Sequence, residues 1–193
     1  MELQKAGRAT LAYFYFDFSD DKKTNLHNAL HSLLTQLAAR SDSYCDILSH
    51  VYERNNKGGS TPGTDEMIRC LEEIFRLPDQ PPVYIILDAL DECSNIDKFP
   101  SARRRVLDFL KRLVDLRLSN LHLCVTSRPE DDIRTALRAF RTISIHEHKG
   151  HKEDIRQYIK DEVYANSDTL MGRWDIETKN LAVDTLTKKA DGM

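Results

Sequence analysis

Three carboxylates follow a short apolar run in the middle of the chain. The run covers residues 83–87, and Asp88, Asp91 and Glu92 come directly after it, with the small residue Ala89 among them. Crowded negative charge is unfavourable unless a cation or an arginine lies among the carboxylates. A hard divalent ion held by Asp88 would relieve it, leaving Asp91 or Glu92 to orient an attacking water. The alternative is a strand that ends in a solvated acidic turn, but the density of carboxylates favours a functional origin.

A single arginine follows the next apolar run along the chain. Arg128 comes shortly after residues 121–125, within the sequence TSRP. The carboxyl ends of parallel strands lie at one edge of a sheet, so we expect the Arg128 guanidinium near the carboxylates. There it can sense a phosphate group through a planar bidentate contact. The alternative is an ordinary salt bridge to Asp88 or Asp91, and both interactions can hold in different nucleotide states.

The elements that must position these residues alternate between strand and helix patterns. Strand-length apolar runs cover residues 11–18, 83–87, 121–125 and 142–145. Helical spacing of apolar residues covers the segments between them, at residues 25–39, 44–52, 65–77, 102–118 and 131–140. This alternation predicts βαβ crossovers and a parallel sheet with helices on both faces. Both faces of the first run are apolar, so we expect that strand to be covered on both sides, and we expect the third run to be buried.

The periodicity becomes wholly helical near the C-terminal end of the chain. Residues 153–163 and 176–186 both carry apolar side chains at helical spacing. We therefore predict an α/β unit over residues 1–148 and a small all-helical segment over residues 149–193.

Composition excludes several classes of function. Of the 193 residues, 28 are Lys or Arg and 31 are Asp or Glu, which gives a net charge of −3 and argues against a nucleic-acid or membrane-surface binder. No signal peptide or membrane span is apparent, so the chain is expected to be cytoplasmic. The basic residues 103–105 are expected on a solvated helix face. Four cysteines lack CxxC spacing and are expected to be reduced structural thiols, with Cys124 inside a buried run: Cys45, Cys70, Cys93 and Cys124.

Two segments carry a resemblance to a known family. Residues 83–92, VYIILDALDE, and residues 121–129, LHLCVTSRP, resemble the Walker B strand and the sensor-arginine strand of NACHT-type NTPases, in the signal-transducing class of P-loop ATPases. The upstream sequence LAYFYFDFSD and the helix after it are similar especially to the NACHT modules of large fungal proteins with repeat-bearing C-termini. The tail resembles the start of that family's helical lid. The resemblance thus extends over nearly the whole chain.

The resemblance implies a fold, a cofactor and residue roles. The fold would be a three-layer parallel sheet of P-loop NTPase type, and the cofactor would be Mg²⁺ with ATP or GTP. Asp88 would be the magnesium-associated acid, Asp91 and Glu92 the acidic pair near the reacting water, and Arg128 the γ-phosphate sensor. Partners would be other NACHT chains, through oligomerisation, or other proteins, in self or non-self recognition.

The phosphate loop that the family requires has no counterpart in this sequence. Residues 58–64, GGSTPGT, come closest, but they lack the lysine and no apolar strand precedes them, so we interpret them as a flexible loop. In the family, the missing strand lies between the strands at residues 121–125 and 142–145. We therefore expect a sheet without the phosphate-loop strand, and a chain that alone binds Mg-ATP weakly or not at all and hydrolyses none.

Two hypotheses follow. The first is a truncated NACHT-type nucleotide-dependent switch, whose intact relative would bind nucleotide and rearrange its lid. The second is a non-enzymatic interaction module that docks on a full-length relative. A magnesium-dependent phosphatase with Asp88 as nucleophile is disfavoured, because Leu90 stands where that mechanism needs an acid.

Overall fold

The chain folds into two compact units, Met1–Ala139 and Phe140–Met193. The computed structural model describes residues 7–95, 100–144, 150–165 and 170–190. The first unit contains a sheet and helices, and the second is helical.

The sheet of the first unit has three parallel strands in the order β1-β2-β3. Strand β1 spans Thr10–Tyr15, β2 spans Val83–Asp88 and β3 spans Leu121–Val125. The register pairs Tyr15 with Asp88 and Leu87 with Val125, so the carboxyl ends of β1, β2 and β3 lie side by side. The predicted α/β class and parallel sheet are confirmed. The arrangement is compatible with a P-loop-like three-layer fold that lacks the loop strand.

The fourth predicted strand, at residues 142–145, is wrong over its described part. Residues 142–144 form no strand, and Ile143 is 76% exposed; residue 145 lies outside the described residues. A strand needs a neighbour that satisfies its backbone groups, and an apolar pattern alone does not supply one.

Helices occupy the segments where the periodicity predicted them. In the first unit these are α1 (Leu26–Ala38), α2 (Asp42–Arg54), α3 (Thr64–Phe75), α4 (Ala102–Asp115) and α5 (Asp131–Ala136). Helix α1 begins after Asn25, whose side chain accepts a hydrogen bond from the Asn28 N–H at 3.0 Å. Residues 58–64 connect α2 to α3, so no strand precedes them, as expected from the sequence.

One face of the sheet is buried under helices. Alternate residues of the central strand, Val83, Ile85 and Leu87, are almost completely buried. Helix α1 packs on β1 and also contacts α2, α3 and α4, so these helices form a layer over this face. The largest buried side chains of that layer include Leu30, Leu33, Leu37, Leu71, Ile74, Leu110 and Leu113. We call this side of the sheet the covered face.

The opposite face of the sheet is open to solvent. Tyr13 is 54% exposed, Tyr15 is 48% exposed and Tyr84 is 40% exposed, and His122 and Cys124 are exposed as well. The expectation that residues 11–18 are covered on both sides and that residues 121–125 are buried is therefore wrong. Large aromatic side chains on both faces of a strand do not by themselves require a second covering layer, because a tyrosine can keep its hydroxyl in water. We call this side the open face.

The second unit consists of α6 (His151–Ala165), the turn Leu170–Arg173 and α7 (Ile176–Ala190). Its two helices pack against each other around the buried residues Val163 and Val183. An ion pair between Arg156 and Asp184 at 2.8 Å adds a polar contact between them. Among the described residues of the chain, no helix has both the length and the apolar character needed to cross a membrane.

Candidate functional site

Two loops meet at the carboxyl ends of β2 and β3. We call residues 88–92 the acidic loop and residues 126–128 the arginine loop. The Thr126 N–H donates to the Leu87 carbonyl and the Leu90 N–H donates to the Thr126 carbonyl, both at 3.0 Å. Ala89 takes a left-handed backbone conformation with φ of 54°, which turns the chain sharply out of β2. These backbone bonds bring the side chains of both loops to one rim of the sheet.

Asp88 lies at the exposed end of β2 and is bonded to the arginine loop. Its Oδ1 accepts a hydrogen bond from the Thr126 hydroxyl, and the same hydroxyl accepts one from the Ala89 N–H at 3.0 Å. The other carboxylate oxygen of Asp88 has no protein partner among the described residues. Asp88 can therefore offer that oxygen to a cation.

Thr126 is a residue of this rim that the sequence reading passed over. Thr126 is the first residue after β3. Ligands bind beyond the carboxyl ends of parallel strands, so its position indicates a role for the same reason as the positions of Asp88 and Arg128 do. Its hydroxyl connects the two loops.

Asp91 and Arg128 form an ion pair at the same rim. The backbone N–H of Arg128 donates to Asp91 Oδ1 at 2.9 Å, and the side-chain Nε of Arg128 lies 3.5 Å from Asp91 Oδ2. The Asp91 side chain is 9% exposed, whereas that of Arg128 is 80% exposed. The salt bridge that the sequence left open as an alternative is thus formed, and the guanidinium remains accessible to a ligand.

Glu92 is directed to a third segment. Its Oε2 accepts a hydrogen bond from the Phe18 N–H at 3.3 Å, in the chain that follows β1. The three carboxylates of the acidic loop therefore have three different partners. Among residues 7–95, 100–144, 150–165 and 170–190, no group of three or more His, Cys, Asp or Glu side chains is arranged to hold a metal ion.

Arg103 supports the acidic loop from the helix layer. Its Nη2 donates to the Asp91 carbonyl at 2.5 Å and its Nε donates to the Cys93 carbonyl at 3.0 Å. The residue is only 6% exposed, so the expectation of a solvated face at residues 103–105 is wrong for Arg103. A signal was present in the sequence, because Arg103 shares the helical spacing of the buried residues Val106, Leu107 and Leu110.

All four cysteines are free thiols, as expected, but they differ in burial. Cys70 and Cys93 are buried, whereas Cys45 and Cys124 are exposed. Cys93 follows the acidic loop, and its Sγ donates to the Thr24 carbonyl at 3.0 Å. Burial raises the pKa of the Cys93 thiol to about 12, so this thiol stays protonated at neutral pH. The expectation that Cys124 lies inside a buried run is wrong.

The rim offers one carboxylate and one hydroxyl, so a magnesium ion there would need further oxygen ligands from water and phosphate. Magnesium in proteins is typically bound through one or two carboxylates, with water and phosphate oxygens completing the octahedron. Asp88 supplies such a carboxylate and Thr126 a neighbouring hydroxyl. The described residues provide no glycine-rich lysine loop beside them that would cradle the phosphates.

Two cavities of the first unit lie away from the rim. A cavity of about 470 Å³ between α4 and α5 is lined in part by Arg104, Leu107 and Lys111, and one of about 420 Å³ is lined in part by Thr10 and Gln80. Neither cavity is lined by the carboxylates of the acidic loop or by the side chain of Arg128.

Residues 1–128 match the family described as Nephrocystin 3, N-terminal. The chain belongs to this family. The matched range includes β1, β2 and β3 and ends at Arg128, so the whole rim lies within the nephrocystin 3 N-terminal part of the chain. Neither the curated proteins nor the solved structures gave a significant match to the chain.

Proposed function

We propose that this nephrocystin 3 N-terminal chain carries part of a nucleotide-dependent switch of the NACHT type, in the signal-transducing class of P-loop ATPases. The observation that supports this most strongly is the rim, where Asp88 keeps a free carboxylate oxygen and Arg128 keeps an accessible guanidinium. Both groups follow adjacent parallel strands, which is where ligands bind in sheets of this kind. The intact relative would use nucleotide binding to rearrange its lid and associate with other chains, in an immune-like signalling role.

The rim residues take separate roles in this proposal. Asp88 holds Mg²⁺, with the remaining ligands from water and phosphate oxygens, and Arg128 contacts the terminal phosphate. Asp91 and Glu92 are the carboxylates nearest to the reacting water. Asp91 Oδ1 accepts the backbone N–H of Arg128 and Oδ2 faces its guanidinium, so a phosphate that draws the guanidinium away would free Oδ2 to orient water. The ion pair and the phosphate contact are then two states of one switch.

The chain of 193 residues is proposed to bind nucleotide weakly and to hydrolyse none. A phosphate loop supplies backbone N–H groups and a lysine for the β- and γ-phosphates, and the described residues offer neither. The rim supplies the metal carboxylate and one arginine, which is half of such a site. Mg-ATP or Mg-GTP is the proposed ligand, and other NACHT chains or other proteins are the proposed partners.

An amide-resonance titration of the ¹⁵N-labelled chain tests the proposal. With Mg-ATP, we expect shifts concentrated in the acidic and arginine loops, with half-saturation in the millimolar range. Asp88→Asn should remove the magnesium-dependent part, whereas Asp42→Asn, at an exposed position in the first turn of α2, should not. An absence of rim shifts would contradict the nucleotide proposal, and micromolar affinity by calorimetry would contradict the half-site.

A second candidate function is supported by the open face. Tyr13, Tyr15 and Tyr84 form an exposed aromatic surface, which is a common composition of protein interfaces. In this alternative, the chain is a non-enzymatic module that docks on a longer relative carrying the phosphate loop. Without nucleotide, a pull-down by that relative should be weakened by Tyr13→Ser with Tyr84→Ser. It should be retained with Tyr52→Ser, because Tyr52 is equally exposed but lies on α2. Equal retention of both variants would exclude the open face as the docking surface.

A further inference from the structure

A buried arginine joins the rim to a helix on the other side of the arginine loop. Arg103 lies in the first turn of α4, and its side chain is 8% exposed. One edge of its guanidinium faces the acidic loop and the other faces the start of α5. A buried arginine is costly unless its donors are paired, and here all three nitrogens have partners.

The contacts to the acidic loop are made with backbone carbonyls. Nη2 donates to the Asp91 carbonyl at 2.5 Å and Nε donates to the Cys93 carbonyl at 3.0 Å. The two carbonyls bracket Glu92, so a single planar group fixes the turn that carries both catalytic candidates. Lysine has one nitrogen and cannot reproduce this two-point contact.

The contacts on the other edge are made with carboxylates. Nη1 lies 3.4 Å from Glu130 Oε2 and 3.3 Å from Asp132 Oδ1, at the start of α5. These carboxylates are 48% and 37% exposed, so solvent and neighbouring molecules can reach them. The guanidinium therefore connects an accessible acidic pair to the backbone of the acidic loop.

Asp91 is the residue through which this connection reaches Arg128. Its carbonyl is held by Arg103, while its carboxylate accepts the Arg128 N–H and faces the Arg128 guanidinium. Loss of this contact would leave the Asp91 carbonyl unsupported and so allow the ion pair at the rim to change.

We propose that Arg103 is a positioning residue that sets the Asp91–Arg128 ion pair and couples it to the acidic pair Glu130 and Asp132. Loss of the negative charge on those two carboxylates would thereby alter the position of Asp91 and, through it, of Arg128. The regulatory meaning rests on the proposed nucleotide function, but the coupling itself does not and is measured without nucleotide.

The first test compares Arg103→Lys with Arg104→Lys. Arg104 is the neighbouring residue on the same helix, is exposed and, among the acidic side chains that the structure describes, pairs only with Asp108, so it is a matched control. Hydrogen exchange of the Arg128 amide reports directly on its bond to Asp91. Without nucleotide, we expect exchange of that amide to accelerate about tenfold in Arg103→Lys, the effect of losing one hydrogen bond, and to stay unchanged in Arg104→Lys.

A purely structural role for Arg103 predicts a different pattern. It would lower the melting temperature and accelerate exchange throughout the first unit, without a particular effect at Arg128. If Arg103→Lys exchanges like the unaltered chain at Arg128, or only in proportion to its lost global stability, the positioning role is wrong.

The second test addresses α5 and also serves if Arg103→Lys does not fold. Glu130→Gln combined with Asp132→Asn changes accessible side chains and leaves the buried carbonyls paired to Arg103. We expect the Asp91 amide resonance to shift in this variant, and those of β1 to stay in place; Arg128 is not the readout here, because its carbonyl accepts directly from the Glu130 N–H at 2.9 Å. An unchanged Asp91 resonance would refute the coupling to α5.

A titration with Mg-ATP separates this inference from the proposed function. If both hold, Arg103→Lys changes the response of the Arg128 amide while the response at Asp88 persists. If the unaltered chain shows no response at all, the nucleotide function fails, and the exchange result still decides the role of Arg103.

Discussion

The covered face and the open face of the sheet are built from the same strands but have opposite surroundings. On β2, Ile85 is 1% exposed under the helix layer, whereas Tyr84 is 40% exposed on the other side. On β1, the same alternation separates the buried Phe14 from the exposed Tyr15. The apolar content of a strand thus indicates how much surface it can bury, whereas the neighbouring elements decide which of its faces is buried.

The rim combines residues supported from both sides of the sheet. Asp88 continues the open-face series of β2 and is exposed, and its register partner on β1 is Tyr15. Asp91 turns toward the helix layer, where Arg103 holds its carbonyl. The covered side therefore supplies a backbone support for the rim, and the open side leaves Asp88 exposed to solvent.

The largest expected difference between the faces is in stability. Ile85→Ala should lower the free energy of unfolding by about 2–5 kcal/mol, because it leaves a cavity in a fully packed core. Ile86→Ala is the matched control, since the same side chain is removed from the next residue, on the open face. We expect it to cost about 1 kcal/mol. Urea unfolding of both variants measures this, and equal costs would show that the open face is covered in solution.

A smaller effect on stability is expected from the ionic contacts of Glu72 within the helix layer. Glu72 on α3 is buried and accepts a hydrogen bond from Arg112 on α4. The Nη1 atom of Arg76 lies 3.5 Å from Glu72 Oε2. Glu72→Gln should lower the free energy of unfolding by about 1–3 kcal/mol, because loss of the carboxylate leaves Arg112 and Arg76 without their counter-charge. Glu73→Gln, at the adjacent exposed position, should cost almost nothing.

The same ionic contacts of Glu72 predict how the stability of the fold depends on pH. The hydrogen bond from Arg112 and the charges of Arg112 and Arg76 lower the pKa of Glu72 below its ordinary value of 4.5. The stabilisation of the folded state by the Glu72 carboxylate is therefore complete above pH 4.5 and is lost as the pH falls through the lowered pKa. Unfolding measured from pH 6 downward should show this loss in the unaltered chain and a weaker one in Glu72→Gln. Parallel pH profiles would contradict the assignment.

Cysteine labelling compares the faces without changing stability. Cys124 on the open face and Cys45 on α2 should react rapidly with a thiol reagent in the folded chain. Cys93 and Cys70 should react only after unfolding, since burial raises their pKa values to about 12 and about 11. Mass spectrometry of the labelled peptides identifies the sites. Slow labelling at Cys124 together with rapid labelling at Cys45 would indicate that the open face is occluded.

Much of the first unit could be predicted from hydrophobic periodicity. The strand at residues 121–125 has the predicted bounds, and α1 lies within one residue of the predicted residues 25–39 at each end. The rim could be located for the same reason, because the carboxyl ends of parallel strands meet wherever the strands pair. Periodicity carries this information because it reflects the repeat of the backbone itself.

The errors arose where a residue's neighbours, and not its own type, determined the result. The charge of Arg103 predicts a solvent-exposed side chain, but carbonyls of the acidic loop accept its hydrogen bonds in the interior. Residues 142–144 have a strand-like composition but no described strand pairs with them. The covering of only one face likewise depends on where the helices pack, which a strand's own sequence does not contain.

The response of the Arg128 amide to Mg-ATP, compared with its response to Mg-ADP, tests whether this rim binds a triphosphate. If Arg128 leaves Asp91 to contact a terminal phosphate, its resonance should shift more with Mg-ATP than with Mg-ADP, while Asp88 responds to both through the metal. Equal shifts at Arg128 with the two nucleotides, or none with either, would contradict the assignment of this rim to a triphosphate.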